Sequence, residues 1–275
     1  MKSIFIDFSI FIFKKLFRLN SANRFSCLLL ENVDLVYTFK FDSFDIKISC
    51  PNRLNLDRAE TYRTKEPDMI EWIDSFGSDV VFMDIGSNIG LYSIYAAKHG
   101  VKKVISIEPE SQNYALFNKN VYLNGLSSNI VGLNIGISDL TRVETLYIPK
   151  FLPGAALNNI GLNINHLKEI FTEDYKQSVL SFSLDEFFIS YPGFFPTHLK
   201  IDVDGVERKI INGGKKTFMD SRLNEVVIEL NTDHEEDMQI VDIFRDCGLF
   251  LKGRYNSLSN LEFSHIYNYH FSRKL

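Results

Sequence analysis

Residues 80–90 read Val-Val-Phe-Met-Asp-Ile-Gly-Ser-Asn-Ile-Gly, and this stretch narrows the fold more than any other. Val80 to Met83 form a short apolar run that can be buried on both faces, and Asp84 stands at its end. Gly86 and Gly90 bracket a tight loop, and with no Cβ they let backbone pass close to a bound ligand. Leu91 to His99 then reads as a helix stopped by Gly100. Strand, tight loop and helix make the ligand-binding unit of doubly wound α/β proteins.

The loop's details narrow the ligand. A dinucleotide fingerprint has glycine at its first, third and sixth positions; here the third is Asn88, and Gly90 comes one residue early. No Gly-Lys-Ser/Thr follows, which excludes a P-loop. What is left suits a ligand with a zwitterionic amino-acid end and no pyrophosphate, such as S-adenosylmethionine (SAM). Asp84 can meet its ammonium, directly or through water, and the helix N-terminus can receive its carboxylate.

The chain has 275 residues, 45% hydrophobic and 24% charged, which allows one large α/β domain with additions or two small domains. A formal net charge of −5 argues against a duplex nucleic-acid binder, which needs a basic face. Cys27, Cys50 and Cys247 lack paired spacing, so a reducing, cytoplasmic setting is expected. Ile4 to Phe13 is apolar and is followed by Lys14, Lys15 and Arg18. That run falls short of the ~20 apolar residues of a membrane span. Residues 4–18 read either as a helix packed on the body or a second subunit, or as a membrane-surface helix with a basic end. The sequence sets no oligomeric state.

Alternation at Val36–Phe41 and Phe44–Ile48 predicts a small strand pair before the main domain, and Glu66-Pro67-Asp68 predicts a helix start. Lys103 to Ile107 reads as a second buried strand ending in Glu108, 24 positions after Asp84. An acid there is placed to accept hydrogen bonds from a ribose diol. A helix over 111–123 follows, then a third strand over 131–137 ending at Ser138-Asp139, where side chains could reach an adenine edge. Residues 149–180 break the rhythm with Pro, Gly and Asn, a substrate-side insertion with a short helical stretch around 166–171. Ser183-Leu-Asp-Glu186 and Thr232-Asp-His-Glu235 read as capping boxes. The fourth strand, 199–203, runs into a charged cluster of Lys200, Asp202, Asp204 and Glu207; the fifth is 226–230, and 249–255 with 261–271 reads as a closing hairpin.

This order resembles the class I SAM-dependent methyltransferases. Within them, Asp84–Gly90, Ile107–Glu110, Asn124–Leu126, Leu199–Glu207, Lys65–Ile73 and Ser183–Phe187 resemble the FkbM family, over roughly residues 60–231. The fold expected is α/β: a Rossmann-like doubly wound sheet of about seven strands with a C-terminal antiparallel hairpin and a small N-terminal β/helix extension. We divide the chain into 1–60, the extension, and 61–275, the methyltransferase domain. The resemblance implies SAM as cofactor and methyl transfer to a hydroxyl of a sugar, glycan or secondary metabolite. By matching motif positions, Asp84, Gly86, Ser87, Asn88 and Gly90 would hold the methionine end, Glu108 the ribose, and Asp139 would lie near adenine. Asp202 is the first candidate for a general base and Asp204 the second, with Lys200 orienting. Two other roles are open for the carboxylate cluster: structural ion pairs, or a divalent-cation site built on Asp202, Asp204 and Glu207. No metal is assigned. The alternative functions are an NAD-dependent oxidoreductase and a non-catalytic SAM-binding or interaction module.

Overall fold

The structure is a computed structural model and describes Cys27, Glu31 and residues 33–164, 169–256 and 265–273. The 4–18 segment, residues 166–168 of the 166–171 stretch and the start of the second closing strand therefore lie outside the described residues. Among the described residues, no helix is long and apolar enough to cross a membrane.

A hairpin of β1 (Val36–Lys40) and β2 (Asp45–Ser49) comes first, as its alternation predicts. Its outer edge is covered by α4 (Ser111–Leu123): Ser49 N–H donates to Asn120 Oδ1 (2.8 Å), and the Asn124 amide meets both Lys47 N–H and Lys47 C=O. Side-chain amides thus stand in for a neighbouring strand. Helices α1 (Arg53–Lys65) and α2 (Pro67–Asp74) follow, the first capped by Asn52 and the second opened by Pro67. Helix α1 runs through residue 60, so the domain boundary drawn there falls inside an element.

The main sheet has seven strands in the order β12-β13-β11-β10-β3-β4-β5. These are β3 (Val81–Ile85), β4 (Lys103–Ile107), β5 (Ile130–Leu133), β10 (His198–Ile201), β11 (Glu225–Asn231), β12 (Phe250–Asn256) and β13 (Ile266–Ser272). The five from β5 to β11 are mutually parallel, and β13 is antiparallel to both β11 and β12. Successive side chains leave a strand on opposite faces. Phe82, Val104 and Val227 therefore join one core, with α1, α2, α3 (Leu91–Lys98) and α4. Met83, Ile85, Ile105 and Ile228 join the other, with α5 (Leu184–Ser190), α6 (Glu207–Gly213), α7 (Lys215–Met219) and α8 (Glu235–Asp246). Helices on both faces of a mainly parallel sheet are the doubly wound arrangement expected. Strand order reverses between β3 and β10, which opens a crevice beyond their C-terminal ends.

The chain departs from the sequence reading in three places. The third strand does not run from 131 to 137. β5 ends at Leu133, Asn134 ties its amide to the carbonyls of Glu108 and Pro109, and the chain passes into a second sheet. That sheet contains β6 (Gly136–Ser138), β7 (Arg142–Ile148), β8 (Asn159–Ile160) and β9 (Tyr175–Ser183), in the order β6-β9-β7-β8. The insertion is thus partly β structure, and its Pro-Gly-Asn density belongs to the loop between β7 and β8. The capping boxes also differ. Ser183 accepts from Glu186 N–H (3.3 Å), but its own N–H donates to Thr141. Thr232 caps nothing, because its N–H and hydroxyl both donate to His265 C=O.

Candidate functional site

The β3–α3 turn is held by packing as much as by ligand geometry. Gly86 has φ +85°, and a Cβ there would overlap the Asp202 carbonyl. Gly90 has φ +86°, with the Phe117 ring in the place of a Cβ. Asn88 adopts φ 49°, a conformation Asn tolerates better than most residues. Its Oδ1 accepts from Ile89 N–H (3.0 Å), and its own N–H donates to Glu108 Oε2 (2.8 Å). The N–H groups of Gly86 and Ser87 both donate to Ile107 C=O, which ties the turn to the end of β4.

Asp84 is 1% exposed and lies inside the protein rather than on a ligand surface. Ser93 donates to its Oδ2 (2.6 Å), and Ser106 donates to Ser93. In-register pairing of β3 with β10 sets Asp84 beside Lys200, whose Nζ is 3.7 Å from Asp84 Oδ1 and 2.8 Å from Asp202 Oδ2. The Lys200 ammonium also lies 5.3 Å from the centre of the Tyr92 ring. Burial raises the Asp84 carboxyl, with Lys200 opposing. Burial works against the Lys200 charge, but Asp202 and Asp84 outweigh it and lift its pKa above the ordinary lysine value. Burial likewise disfavours the Asp202 charge, and Lys200 more than offsets this, holding Asp202 below the usual carboxylate range. The charged interruption in β10 is therefore a paired one, as the cost of unpaired buried charge requires.

Glu108 closes β4, its two oxygens taking the N–H groups of Asn88 and Glu110, each at 2.8 Å. Burial nevertheless pushes its carboxyl up to about 8. Beyond β10, Asp204 has φ 58° and accepts from Leu157 N–H (2.7 Å). Burial and then the Asp202 charge raise it to about 6. Glu229, near the end of β11, is raised well above its ordinary value, first by burial and then by Asp202 and Asp204. Carboxylate oxygens of Asp202, Asp204 and Glu229 all lie within 4.8 Å of one another, so the cation set the structure assembles contains Glu229, not Glu207. Three hard oxygen donors at that spacing fit a divalent cation. Glu207 is instead buried, accepts from Gly205 N–H (3.2 Å), and is lifted by burial to about 8.

A strap from the β7–β8 loop crosses this turn. Pro153 C=O accepts from Asn52 and Asn55, both at 2.9 Å, and Gly154 C=O from Arg58 Nε (2.8 Å). Ala155 C=O accepts from Asn88 and Asn113, both at 3.0 Å. The strap thus links α1 to α4 over the glycine turn. A hollow of about 500 Å³ lies on one side, walled by Glu108, Pro109, Asn113, Ile137 and Asp204. A second, of about 1090 Å³, lies on the other, walled by α1, Glu66, Ser87, Tyr92 and Lys200. They share Gly86, Asn88 and Asp202.

Of the residues picked out by sequence, Gly86, Ser87, Asn88, Glu108, Lys200, Asp202 and Asp204 come together on these walls. Asp84 and Gly90 support the walls without lining either hollow. Asp139 stands apart at the end of β6, its Cα 3.0 Å from where a Cβ on Gly213 would sit. The sequence reading missed Glu229, which the pairing of β10 with β11 brings to the named cluster, and Arg58, Tyr62 and Glu66 on and after α1. Glu66 was seen as a helix-start acid, yet it is buried and accepts from the Tyr92 hydroxyl.

Residues 84–251 match the family profile described as the methyltransferase FkbM domain. Among solved structures, the chain is similar to a methyltransferase FkbM from Methylobacillus flagellatus, at 14% identity and TM-score 0.49. That match covers 70% of this chain and 44% of the other, so the chain spans less than half of that protein's length. It is also similar to M. jannaschii TYW2 in complex with AdoMet (11% identity, 88% of each chain, TM-score 0.43). A third is the M. jannaschii tRNA m1G37 methyltransferase (9% identity, 87% of this chain, 55% of that one, TM-score 0.46). No curated protein matches in sequence.

Proposed function

The chain belongs to the FkbM family of S-adenosylmethionine-dependent methyltransferases, and from that premise we propose that it methylates a hydroxyl oxygen of a sugar, glycan or secondary metabolite. The observation that supports this reading most is the meeting of two hollows at Asp202, with Glu108 on the wall of one and an open chamber edged by Arg58, Lys65 and Lys200 in the other. SAM brings an activated methyl carbon, which leaves alignment and proton removal to the protein.

In this reading Glu108 accepts the ribose hydroxyls. A carboxylate offers about four lone-pair directions, and Asn88 and Glu110 use one on each oxygen. Gly86, Ser87 and Asn88 form the floor under the methionine end, with Asp84 acting through Lys200. The order of the two base candidates reverses. Lys200 holds Asp202 ionised and weakly basic, whereas Asp204, at about 6, is better matched to taking a proton near neutral pH. Asp202 and Lys200 then orient the acceptor hydroxyl. A second reading, favoured by the convergence of Asp202, Asp204 and Glu229, places a divalent cation there to polarise that hydroxyl.

The test is methyl-labelled SAM offered with separate pools of sugars and glycans, hydroxylated small molecules, and RNA, with magnesium or with a chelator. The reading expects label as a methyl ether in one of the first two pools, retained in chelator. Label in RNA alone would overturn the acceptor class, and loss of all label in chelator would move the chemistry to the cation.

A further inference from the structure

The larger hollow is bounded on one side by a stripe of α1: Leu54, Asp57, Arg58, Thr61, Tyr62 and Lys65. These positions repeat at three and four, so they share one helix face. Most helices turn an apolar face inward; this one turns a polar face onto a void. From Leu54 to Lys65 the stripe runs about 16 Å at 1.5 Å per residue, longer than the amino-acid tail of the cofactor. Two hydroxyls on these walls are buried with no hydrogen-bond partner among the described residues: Tyr62 OH, on a residue 3% exposed, and Ser87 Oγ, on a residue 7% exposed. Buried polar groups are nearly always paired, so these two point to a ligand that carries hydrogen-bonding groups of its own.

Arg58 supplies the specificity. Its Nε is held by the strap at Gly154 C=O, which fixes the guanidinium plane, and its terminal nitrogens have no partner among the described residues. Arg58, Lys65 and Asp202 line the same hollow, and both cations lower the carboxyls of Asp202 and Asp204. A fixed guanidinium fork matches the two oxygens of a carboxylate or phosphate. Resting on the methyltransferase reading above, we propose that the larger hollow is the acceptor subsite and that Arg58 selects an acceptor carrying an anionic group near the hydroxyl to be methylated. Tyr62 and Ser87 then bond the neutral part of the same molecule. Binding an anion at Arg58 also secures the strap, since one side chain serves both.

The test uses the full chain saturated with S-adenosylhomocysteine and titrated calorimetrically with glucuronate, glucose 6-phosphate and glucose. A charge-assisted bidentate contact predicts that one of the anionic probes binds about tenfold or more tighter than glucose. The two acids separate carboxylate from phosphate. Arg58→Gln should erase the preference while leaving the S-adenosylhomocysteine Kd within about threefold, and Arg58→Lys should restore part of it. Equal affinity for all three probes overturns the proposal. So does a fall in S-adenosylhomocysteine affinity in Arg58→Gln that matches any loss of probe binding, because Arg58 would then be reading the cofactor tail. Failure of the wild type to bind S-adenosylhomocysteine at all would strike the cofactor reading itself, a separate result.

Discussion

Strand β11 carries two glutamates four positions apart, Glu225 at its start and Glu229 towards its end, and their surroundings are opposite. Glu225 accepts from Trp72 Nε1 (2.7 Å) and lies 2.8 Å from His270 Nε2, with Lys252 at 3.5 Å. Burial works against its charge, but those partners outweigh it and hold the carboxyl at about 2. His198 beside it is kept neutral by burial, its pKa lowered to about 4. Among the described residues Glu229 pairs with no cation; its carboxylate lies within 4.8 Å of those of Asp202 and Asp204, and it is raised well above the ordinary value. Both groups sit at the margins of one mainly parallel sheet, at opposite ends. The N-terminal margin is electrostatically satisfied and serves the fold. The C-terminal margin holds acids with raised pKa values around two hollows, and such groups gather where chemistry is done.

The largest effect expected separates the two margins by activity. Asp204→Asn should cut methyl transfer by about 100-fold or more, the scale of a lost general base, with little change in cofactor affinity. Glu225→Gln should leave turnover within about twofold, since it changes nothing on the walls of either hollow. Comparable losses in both variants would erase the distinction. In wild type the rate should rise with pH through an apparent value near the 6 of Asp204 and then level.

Stability should show the reverse order. Glu225→Ala leaves the Trp72 N–H and His270 without their acceptor, and about 2–3 kcal/mol is expected from denaturant titration. Asp204→Asn should be neutral or stabilising, because it removes a charge that burial disfavours.

Cofactor affinity should depend on pH through Glu108. With its carboxyl at about 8 in the empty protein, the ionised acceptor that a ribose diol needs becomes fully available only above that value. Affinity should therefore tighten by about tenfold per pH unit at most between pH 6.5 and 8.5, and Glu108→Gln should bind weakly with no such slope. A flat wild-type profile would remove Glu108 from the ribose role.

The smallest effect is on the melting curve. Asp204, Glu108 and Glu207 have folded values raised to about 6, 8 and 8. Their contribution is fully present below the ordinary carboxylate pKa and is lost as pH rises through the folded values. Glu225 and His198 are depressed, to about 2 and 4. Their contribution is present above the ordinary values, and as pH falls it is lost through 4 for His198 and then through 2 for Glu225. The Tm should therefore already be declining as pH rises from about 5 to 8.5, and should decline again in acid below about 4. Glu225→Gln should weaken the acid limb and Glu108→Gln the alkaline one.

Local sequence carried much of this. The bounds of β4 and α4 agree with the sequence reading residue for residue, because an apolar run and a stop at Asn124-Gly125 are both local signals. Glu108 and Asp202 were legible because strand ends follow from strand length. The convergence of Glu229 on Asp204 was not, since it depends on which strands are neighbours and in what register. Arg58, Tyr62 and Glu66 were passed over because they precede the glycine turn and reach it only when α1 packs back over it. The breakup of the third strand hid behind an alternation that β5 and β6 continue across a change of sheet. The glycines were placed correctly but for an incomplete reason: Gly86 makes room for the Asp202 carbonyl and Gly90 for Phe117.

The most direct measurement is calorimetric titration of the chain with SAM at pH 8, comparing wild type with Glu108→Gln and Glu225→Gln. One-to-one binding in wild type and Glu225→Gln, weakened by about tenfold or more in Glu108→Gln, is the expected result. Absence of SAM binding by the folded wild type, or equal binding by all three proteins, would contradict the assignment of the C-terminal margin as the working end of the sheet.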